Sequence, residues 1–239
     1  MWVWLRRRVL APLLRRHGDR VFLGPIARAH PRLEAIVRMA RWWRPWSSRV
    51  AYHRSREELY AHGLSEIGTP RMYLEFGVAK GASLRWWVGH VTDASTTFVG
   101  FDTFEGIPEA WGRQPAGSYT AHGDIPDIDD DRVRFEVGRF EETIPGFLDA
   151  QELSHPLVLH LDADLYASTE TVLRTIGPLL STGDLVIFDE LLDVGTAEHE
   201  FLALDDLAPT LGLNWTPIAA VDNGPQVALA VTEPAGASP

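Results

Sequence analysis

The distribution of apolar residues changes near residue 70 of this 239-residue chain. Beyond that point, short and nearly continuous apolar runs alternate with longer stretches of helical spacing. The runs cover residues 71–77, 97–102, 132–138, 156–162 and 184–190. Runs without polar alternation are typical of strands that are buried on both faces. Their alternation with helices predicts an open α/β sheet with right-handed crossovers.

The last two apolar runs predict a different connection. Residues 213–221 and 226–231 flank the sequence DNGP, which is a turn signal between two strands. We therefore predict five parallel strands followed by a C-terminal antiparallel hairpin. Helices over 82–91 and 168–180 are predicted among the connections.

The N-terminal part of the chain differs in charge and predicts a helical arm. Residues 1–58 carry fourteen arginines and four acids, a net charge of +10, whereas the remainder carries eight basic and twenty-nine acidic residues, a net charge of −21. Amphipathic spacing predicts helices over 2–17 and 31–43. We expect the arm to pack on the acidic part of its own chain or of a dimer mate, with an anionic membrane surface as the alternative partner. Nucleic-acid binding is not expected, because most of the chain is acidic.

Composition excludes several functional classes. The chain has no cysteine, which removes disulfides, thiolate nucleophiles and iron–sulfur clusters and fits a cytoplasmic protein. No apolar run approaches the ~20 residues of a membrane span, and arginines interrupt any signal-peptide core at the N-terminus. We predict a basic, Trp- and Arg-rich arm over 1–66, one α/β domain over 67–233 and a disordered tail over 234–239.

Glycines and acids stand at the end of every predicted parallel strand. In such sheets, ligands bind at the carboxyl ends of the strands. Acids at these buried ends are costly unless they meet a ligand, a metal or hydrogen-bond donors. The residues concerned are Glu75, Gly77, Asp102, Gly138, Asp162, Asp164, Asp189 and Glu190. The sequence therefore predicts one ligand site along this edge of the sheet.

The first two strands indicate which ligand this site takes. The first strand leads into EFGVAKGAS, in which Gly77 and Gly81 let the backbone approach a ligand closely. The pattern is not the three-glycine GxGxxG fingerprint of a dinucleotide site. Asp102 ends the second strand, where an acid commonly accepts hydrogen bonds from ribose hydroxyls. A nucleoside ligand without phosphates is predicted, and S-adenosylmethionine is the obvious candidate.

Five motifs, in this order and spacing, resemble the macrocin O-methyltransferase family: EFGVAKGAS, FDTFEGIPEAW, VGRFEETIP, HLDADLYAST and VIFDE. This resemblance covers residues 70–231 and implies the Rossmann-like α/β fold of class I S-adenosylmethionine-dependent methyltransferases. The cofactor-binding residues that it implies are Glu75, Gly77, Val78, Gly81 and Ser83 at the methionine end, Asp102, Thr103 and Phe104 at the ribose, Gly138, Arg139 and Phe140 at the adenine, and Asp162 at the methyl group. The alternative for Phe104 and Phe140 is that they are ordinary core aromatics.

Four carboxylates at the ends of the fourth and fifth strands predict the chemistry. Hard oxygen ligands in such number suit Mg²⁺, which lowers the pKa of a bound hydroxyl and orients it, while a carboxylate takes the proton. The resemblance implies that Asp164, Asp189 and Glu190 bind the metal, although the family's usual DGD and DDY sequences are replaced by DAD and DEL here. An acidic crevice without metal is the alternative. The candidate catalytic residues are Asp162, Asp164 and, as a base, His199.

Together these patterns predict an S-adenosylmethionine-dependent O-methyltransferase, assisted by Mg²⁺, that acts on a hydroxyl of a small natural product, either a sugar or a phenol. A loop as long as 103–131 is usually functional, so we expect it to cover the substrate. One alternative is a nicotinamide-dependent Rossmann oxidoreductase, but the three-glycine fingerprint and a Tyr-xxx-Lys pair are missing. Another is a non-catalytic scaffold whose arm binds a membrane or a partner, but a scaffold has no need of the strand-end acids.

Overall fold

The computed structural model describes residues 31–232 except residues 112 and 213. The strands are β1 (Ala51–His53), β2 (Met72–Phe76), β3 (Thr97–Asp102), β4 (Val133–Val137), β5 (Leu157–Leu161), β6 (Leu185–Phe188), β7 (Asn214–Val221) and β8 (Val227–Thr232). The helices are α1 (Pro31–Trp43), α2 (Arg56–Ile67), α3 (Ala82–His90), α4 (Phe140–Ala150), α5 (Tyr166–Thr175) and α6 (Glu200–Leu207). The helix predicted over 2–17 and the tail predicted over 234–239 lie outside the described residues.

All of these strands belong to a single sheet. Their order is β1-β7-β8-β6-β5-β2-β3-β4. The neighbours pair in parallel except for β8, which runs antiparallel to both β6 and β7. This topology confirms the mostly parallel sheet with a C-terminal antiparallel hairpin. Strand β1 was not predicted, because three residues are too short to show a hydrophobic pattern.

Helices cover both faces of the sheet. On one face, α1, α4, α5 and α6 pack on the strands through large side chains such as Trp43, Phe147 and Phe201. On the other face, α2 and α3 pack through Tyr60 and Trp87, among others. Every residue of β2, β5 and β6 is buried. These strands appear in the sequence as nearly continuous apolar runs for that reason, with Glu75 in β2 and His160 in β5 as the polar exceptions.

The described part of the basic arm packs against the acidic part of the same chain. The guanidinium of Arg38 donates hydrogen bonds to Asp205 and Asp206 of α6, each at 2.6 Å. Arg32 forms an ion pair with Glu198, and Trp43 is 2% exposed. Residues 31–66 thus share layers with the α/β domain, and the predicted domain boundary at residue 66 stays a prediction. None of the helices within 31–232 is long and apolar enough to span a bilayer.

Helix α5 differs from the helix predicted over 168–180. It begins two residues earlier, at Tyr166, and ends at Thr175, after which a short 3₁₀ helix covers Gly177–Leu179. Pro178 lacks an N–H for the next helical hydrogen bond, and its ring clashes with the preceding turn. The α-helix therefore stops before the end of the amphipathic pattern.

Candidate active site

A cavity of about 660 Å³ opens at the carboxyl ends of the parallel strands. The sheet order changes direction here, because β2 pairs with β3 on one side and with β5 on the other. Such switch points are the usual ligand sites of open α/β sheets, and the volume suits a small molecule. The predicted site residues in its wall are Gly77, Asp102, Thr103, Gly138, Arg139, Phe140, Asp162, Asp164 and Glu190.

The loop after β2 closely approaches the loop after β5. Gly77 has a φ of +96°, and a Cβ at this position would lie 1.9 Å from the carbonyl oxygen of Asp162. The N–H of Gly77 donates to the carbonyl of Phe101 at 3.0 Å, which holds the turn in place. Only glycine fits this position. The two loops therefore meet backbone to backbone, at the edge of the cavity that Gly77 and Asp162 both line.

The carboxylate of Asp102 organises the same loop. Its Oδ2 accepts the N–H groups of Val78 at 2.8 Å and Ala79 at 2.7 Å, and its Oδ1 accepts the N–H of Phe104 at 2.7 Å. A carboxylate oxygen has about two acceptor sites, so Oδ1 retains one. Since Asp102 lines the cavity, this oxygen can accept a further hydrogen bond from a ligand hydroxyl.

The end of β4 forms the next part of the wall. The N–H of Gly138 donates to the carbonyl of Asp102 at 3.0 Å, and Arg139 and Phe140 line the cavity beside it. The ring of Phe140 packs edge-to-face on Phe76 with centroids 5.2 Å apart. Phe104 lies elsewhere, since it is 1% exposed and does not line the cavity.

A buried polar network lies beneath the cavity. Glu75 is 1% exposed, and its Oε2 lies 3.1 Å from the hydroxyl of Tyr73, which lies 2.8 Å from Nδ1 of His160. Burial raises the pKa of Glu75 to about 8 and lowers the pKa of His160 to about 3. Tyr60 donates to Ser83 at 3.4 Å in the same layer. Glu75 and Ser83 are thus buried and are not among the residues that line the cavity, so their role in cofactor binding stays a prediction.

Two of the strand-end acids follow β5 and line the cavity together. Asp164 has a φ of +58°, and burial, with the charges of Asp189 and Asp102, raises the pKa of its carboxyl to about 7. Burial and the neighbouring charges of Asp189 and Asp164 also raise the pKa of Asp162. Both carboxyls therefore have a higher affinity for a proton than an exposed aspartate.

The acids that follow β6 are held by other elements. Gln226 donates to Oδ2 of Asp189 at 3.1 Å, and Nη1 of Arg56 lies 3.8 Å from Oδ1. The N–H of Glu190 donates to Oε2 of Glu200 at 2.8 Å. Glu200 is fully buried and its pKa is raised, chiefly by that burial. It fixes the loop that carries Glu190, a role that the sequence analysis missed.

The predicted magnesium ligands have suitable chemistry but an unsuitable arrangement. Carboxylates are the donors that Mg²⁺ prefers. Among the described residues, however, no group of three or more acidic or histidine side chains lies close enough together to hold one metal ion. One oxygen of Asp189 faces the guanidinium of Arg56 instead. Asp164, Asp189 and Glu190 do not fit a three-ligand magnesium site in this arrangement.

His199 contacts the start of α5. Its Nδ1 accepts the N–H of Tyr166 at 3.2 Å, which places the imidazole proton of the neutral ring on Nε2. Burial lowers its pKa, and His199 is not among the residues that line the cavity. To act as a base, the ring would have to give up this hydrogen bond.

The loop 103–131 forms the outer wall of the cavity. The loop folds back on itself at Gly106, whose φ is +88° and where a Cβ would lie 2.4 Å from the carbonyl oxygen of Ser118. The rings of Trp111 and Tyr119 pack edge-to-face at 6.1 Å. The residues of this loop that line the cavity are Thr103, Gly106, Ile107, Pro108, Glu109, Trp111 and Tyr119. Of these side chains the sequence analysis identified Thr103 alone, because an irregular segment has no periodicity from which to infer a face.

Comparison with known proteins shows which proteins this chain resembles. A family model described as Macrocin-O-methyltransferase (TylF) matches residues 65–224. A curated Streptomyces olivaceus protein, 8-demethyl-8-(2,3-dimethoxy-alpha-L-rhamnosyl)-tetracenomycin-C 4'-O-methyltransferase, is 32% identical over an alignment of 145 positions. That alignment covers 52% of this chain and 54% of the relative. The chain thus spans about half the length of this relative.

Solved structures support the fold. CalS11, a calicheamicin methyltransferase, has a TM-score of 0.55 at 22% identity, over 73% of this chain and 77% of that chain. The O-methyltransferase NovP has a TM-score of 0.56 at 21% identity, over 74% of this chain and 80% of that chain. These similarities confirm the Rossmann-like class I methyltransferase fold. With the family match over most of the α/β part, they lead to one conclusion: the chain belongs to the macrocin O-methyltransferase family.

Proposed function

We propose that this protein transfers a methyl group from S-adenosylmethionine to a hydroxyl group of a small natural product. Family membership supports the reaction class, and the curated relative is named as a 4'-O-methyltransferase of a rhamnosyl-tetracenomycin. The observation that carries the proposal is that one cavity joins the backbone wall at Gly77 and the carboxylate of Asp102 to the acids Asp162 and Asp164. A cofactor site and a proton acceptor are thereby adjacent.

The described residues fit the cofactor. Gly77 lines the cavity with its backbone alone, and its lack of a side chain lets the loop that carries Asp162 lie directly beside it. The remaining acceptor site on Oδ1 of Asp102 suits a ribose hydroxyl. Phe140 and Gly138 offer an apolar surface and an exposed peptide beside it for the adenine. Val78 holds the loop through its N–H, while Glu75 and Ser83 are buried next to it in the sequence and bond to Tyr73 and Tyr60.

The chain's own residues then direct the chemistry. The bound cofactor supplies a methyl group on a positively charged sulfur. As the acceptor oxygen bonds to the methyl carbon and the carbon–sulfur bond breaks, the hydroxyl proton must leave. Asp164 is our proposed base, because it lines the cavity and its pKa is raised to about 7, near working pH. Asp162 lies at the end of the Gly77 wall and orients the reacting groups.

The sequence predicts assistance by magnesium, and the steps proposed above use only residues of the chain. The described carboxylates do not gather three ligands, so the proposed chemistry uses a carboxylate base. An assay of methyl transfer in the presence of chelator, repeated after addition of Mg²⁺, tests the predicted role of magnesium. Loss of activity in chelator and recovery with Mg²⁺ would restore the metal to the mechanism.

We further propose a glycoside of an aromatic natural product as the acceptor, with a free phenol as the alternative. The outer wall offers the apolar surfaces of Ile107, Trp111 and Tyr119, which suit ring-shaped groups. Glu109 of this loop, and Glu190 from the loop after β6, offer acceptors for hydroxyl groups. Both classes of acceptor carry such rings and hydroxyls, so an assay is needed to separate them.

The experiment is a methyl-transfer assay on the full chain. The protein is incubated with S-adenosylmethionine carrying a radioactive methyl group and with a panel of rhamnosylated aromatic polyketides, their aglycones and simple phenols. We expect label in a glycoside, with a mass increase of one methylene unit. Transfer to the aglycones alone would favour the phenol, and no transfer together with tight NADH binding would favour the oxidoreductase alternative.

The proposal for the whole protein also includes a dimer and a cytoplasmic location. The motive for the dimer is the charge contrast between the arm and the rest of the chain. Light scattering of the full chain tests it, since a monomeric mass at micromolar concentration would contradict it. Liposome flotation tests the alternative of membrane contact by the arm, and fractionation of the source cells tests the location.

A further inference from the structure

Arg56 brings a positive charge into the acidic cavity from outside the predicted α/β domain. It is the first residue of α2 and lines the same cavity as Asp162, Asp164 and Glu190. Its Nη1 lies 3.8 Å from Oδ1 of Asp189, with its side chain 38% exposed and that of Asp189 8% exposed. The guanidinium therefore lies between a buried acid and the open space of the cavity.

The position of Arg56 is electrostatically unfavourable unless the neighbouring acids stabilise its charge. A positive side chain in the first turn of a helix opposes the helix dipole, which favours negative charge there. Burial lowers the pKa of Arg56, but the neighbouring ionisable groups, Tyr60 first and then Asp189 and Asp162, outweigh this effect and raise it. The same contact stabilises the carboxylate of Asp189, because its Oδ1 is buried and has no hydrogen-bond partner among the described residues. Each group thus compensates the other.

The guanidinium can also reach a ligand. It carries five N–H donors in a planar fork, and at 3.8 Å from Asp189 it is an ion-pair partner rather than a tight bidentate one. Donors remain for an oxygen atom in the cavity. Its charge cannot be lost near neutral pH, so it can stabilise negative charge that develops on an acceptor oxygen.

We propose that Arg56 contacts the acceptor hydroxyl and supplies the positive charge for which the sequence suggested Mg²⁺, so that methyl transfer needs no added divalent metal. This inference rests on the proposed function. The acceptor oxygen forms its bond to the methyl carbon, the carbon–sulfur bond breaks with its electron pair going to sulfur, and the hydroxyl proton goes to a carboxylate. Arg56 stays protonated and donates to the oxygen throughout.

The geometry also opposes a metal at this position. A divalent cation bound to Oδ1 of Asp189 would stand within a few ångströms of the guanidinium, and the two positive charges would repel each other. Gln226 already donates to the other oxygen, Oδ2, at 3.1 Å. Both oxygens of Asp189 therefore face positive or hydrogen-bond-donating groups of the chain itself.

The test compares Arg56→Gln and Arg56→Lys with wild type and with the control Arg54→Gln, which changes an exposed arginine. With the glycoside acceptor, we expect kcat to fall roughly 10²–10³-fold in Arg56→Gln and less in Arg56→Lys. The affinity for S-adenosylhomocysteine should stay within about twofold, and thermal melting should identify any variant that fails to fold. In a third variant, Arg56→Ala, guanidinium ion added to the assay should partly restore turnover, because it can occupy the space of the missing side chain. Unchanged kcat in Arg56→Gln, or a loss of kcat that follows a loss of folding in every variant, would overturn the inference.

Two measurements separate this inference from the proposed function. Wild-type activity should persist in chelator, and calorimetric titration of the wild type with MgCl₂ at millimolar concentration should show no saturable binding. Saturable Mg²⁺ binding, or activity lost in chelator and restored by Mg²⁺, would overturn the role of Arg56 while leaving the methyltransferase proposal intact. Failure of the wild type to bind S-adenosylhomocysteine would instead contradict the proposed function itself.

Discussion

The carbonyl oxygen of Asp162 lies 1.9 Å from the point where a Cβ on Gly77 would stand. The loops after β2 and β5 can approach each other this closely only because residue 77 has no side chain, and its φ of +96° excludes most other residues as well. The contact determines both the shape of the backbone wall and the position of the acid at its end.

Gly77→Ala should therefore separate the two loops. We expect a destabilisation of at least about 1–3 kcal/mol from the strained backbone alone, and a loss of S-adenosylhomocysteine affinity of more than about tenfold. Urea denaturation and calorimetry measure the two effects. Gly89→Ala is the matched control, because a Cβ there meets nothing within 4 Å and alanine favours the helix by up to about 1 kcal/mol. Equal affinities in both variants would contradict the assignment of the wall.

Asp164→Asn should remove the proposed base. We expect kcat to fall by about 10²–10⁴-fold, the usual contribution of a positioned proton acceptor, while the affinity for S-adenosylhomocysteine changes little. Steady-state assays with the glycoside acceptor measure kcat, and calorimetry measures the affinity. Asp149→Asn, on the exposed side of α4, is the control and should behave as wild type. Full turnover by Asp164→Asn would assign the proton to another group, with Asp162 the next candidate.

Glu75 should make the stability of the ligand-free protein depend on pH. Its pKa is raised from an ordinary 4.5 to about 8 in the folded chain, so between these values the folded state binds more protons than the unfolded state. The free energy of unfolding should then fall as pH rises through this window, by on the order of a few kcal/mol. Tyr73 and Ser83 face the carboxyl and stay uncharged in this range. His160 has its pKa lowered from 6.5 to about 3, so it adds an opposing rise in stability up to about pH 6.5, and the fall caused by Glu75 should be clearest above that pH.

Glu75→Gln tests this origin of the pH dependence. The amide keeps hydrogen-bonding atoms toward Tyr73 but cannot ionise, so the fall in stability between pH 5 and pH 8 should become shallower than in wild type. Urea denaturation of both proteins at several pH values measures the slope. Identical slopes would mean that other buried acids, such as Glu200, produce the dependence.

The described part of the arm should contribute to stability through its core residues. Trp43 of α1 is 2% exposed and packs in the cluster that contains Phe201 of α6. Trp43→Ala should lower the free energy of unfolding by about 3–5 kcal/mol, as is usual for a buried aromatic side chain. Leu179→Ala, at a position 44% exposed, should change it by less than about 0.5 kcal/mol. Equal small effects would mean that α1 packs only loosely.

The sequence predicted those parts of the fold that are set by local pattern. Strands β2, β5 and β6 are buried on both faces, so each appears as a nearly continuous apolar run and was located within one or two residues. The turn after β7 was found from its DNGP sequence. Strand β1 was missed, because it is held by pairing with β7 rather than by a pattern of its own.

For the site as well, the sequence predicted the residues that are marked by a local pattern and missed those that only the tertiary structure brings together. Gly77, Asp102 and Asp164 were found because each stands at a strand end, where topology brings separate segments together. Arg56 was not found, since it lies 133 residues before Asp189 in the chain and pairs with it only through the tertiary structure. Glu200 was also missed, because nothing in the sequence near it shows that its carboxylate caps the N–H of Glu190.

The central claim is that the cavity binds S-adenosylmethionine through Asp102, and calorimetric titration with S-adenosylhomocysteine tests it most directly. We expect wild type to bind one equivalent and not to bind NADH. Asp102→Ala should bind S-adenosylhomocysteine weaker by roughly 1.5–3 kcal/mol, the value of a hydrogen bond to a charged group, with folding checked by thermal melting. Binding of NADH but not of S-adenosylhomocysteine by wild type, or unchanged affinity in folded Asp102→Ala, would contradict the account.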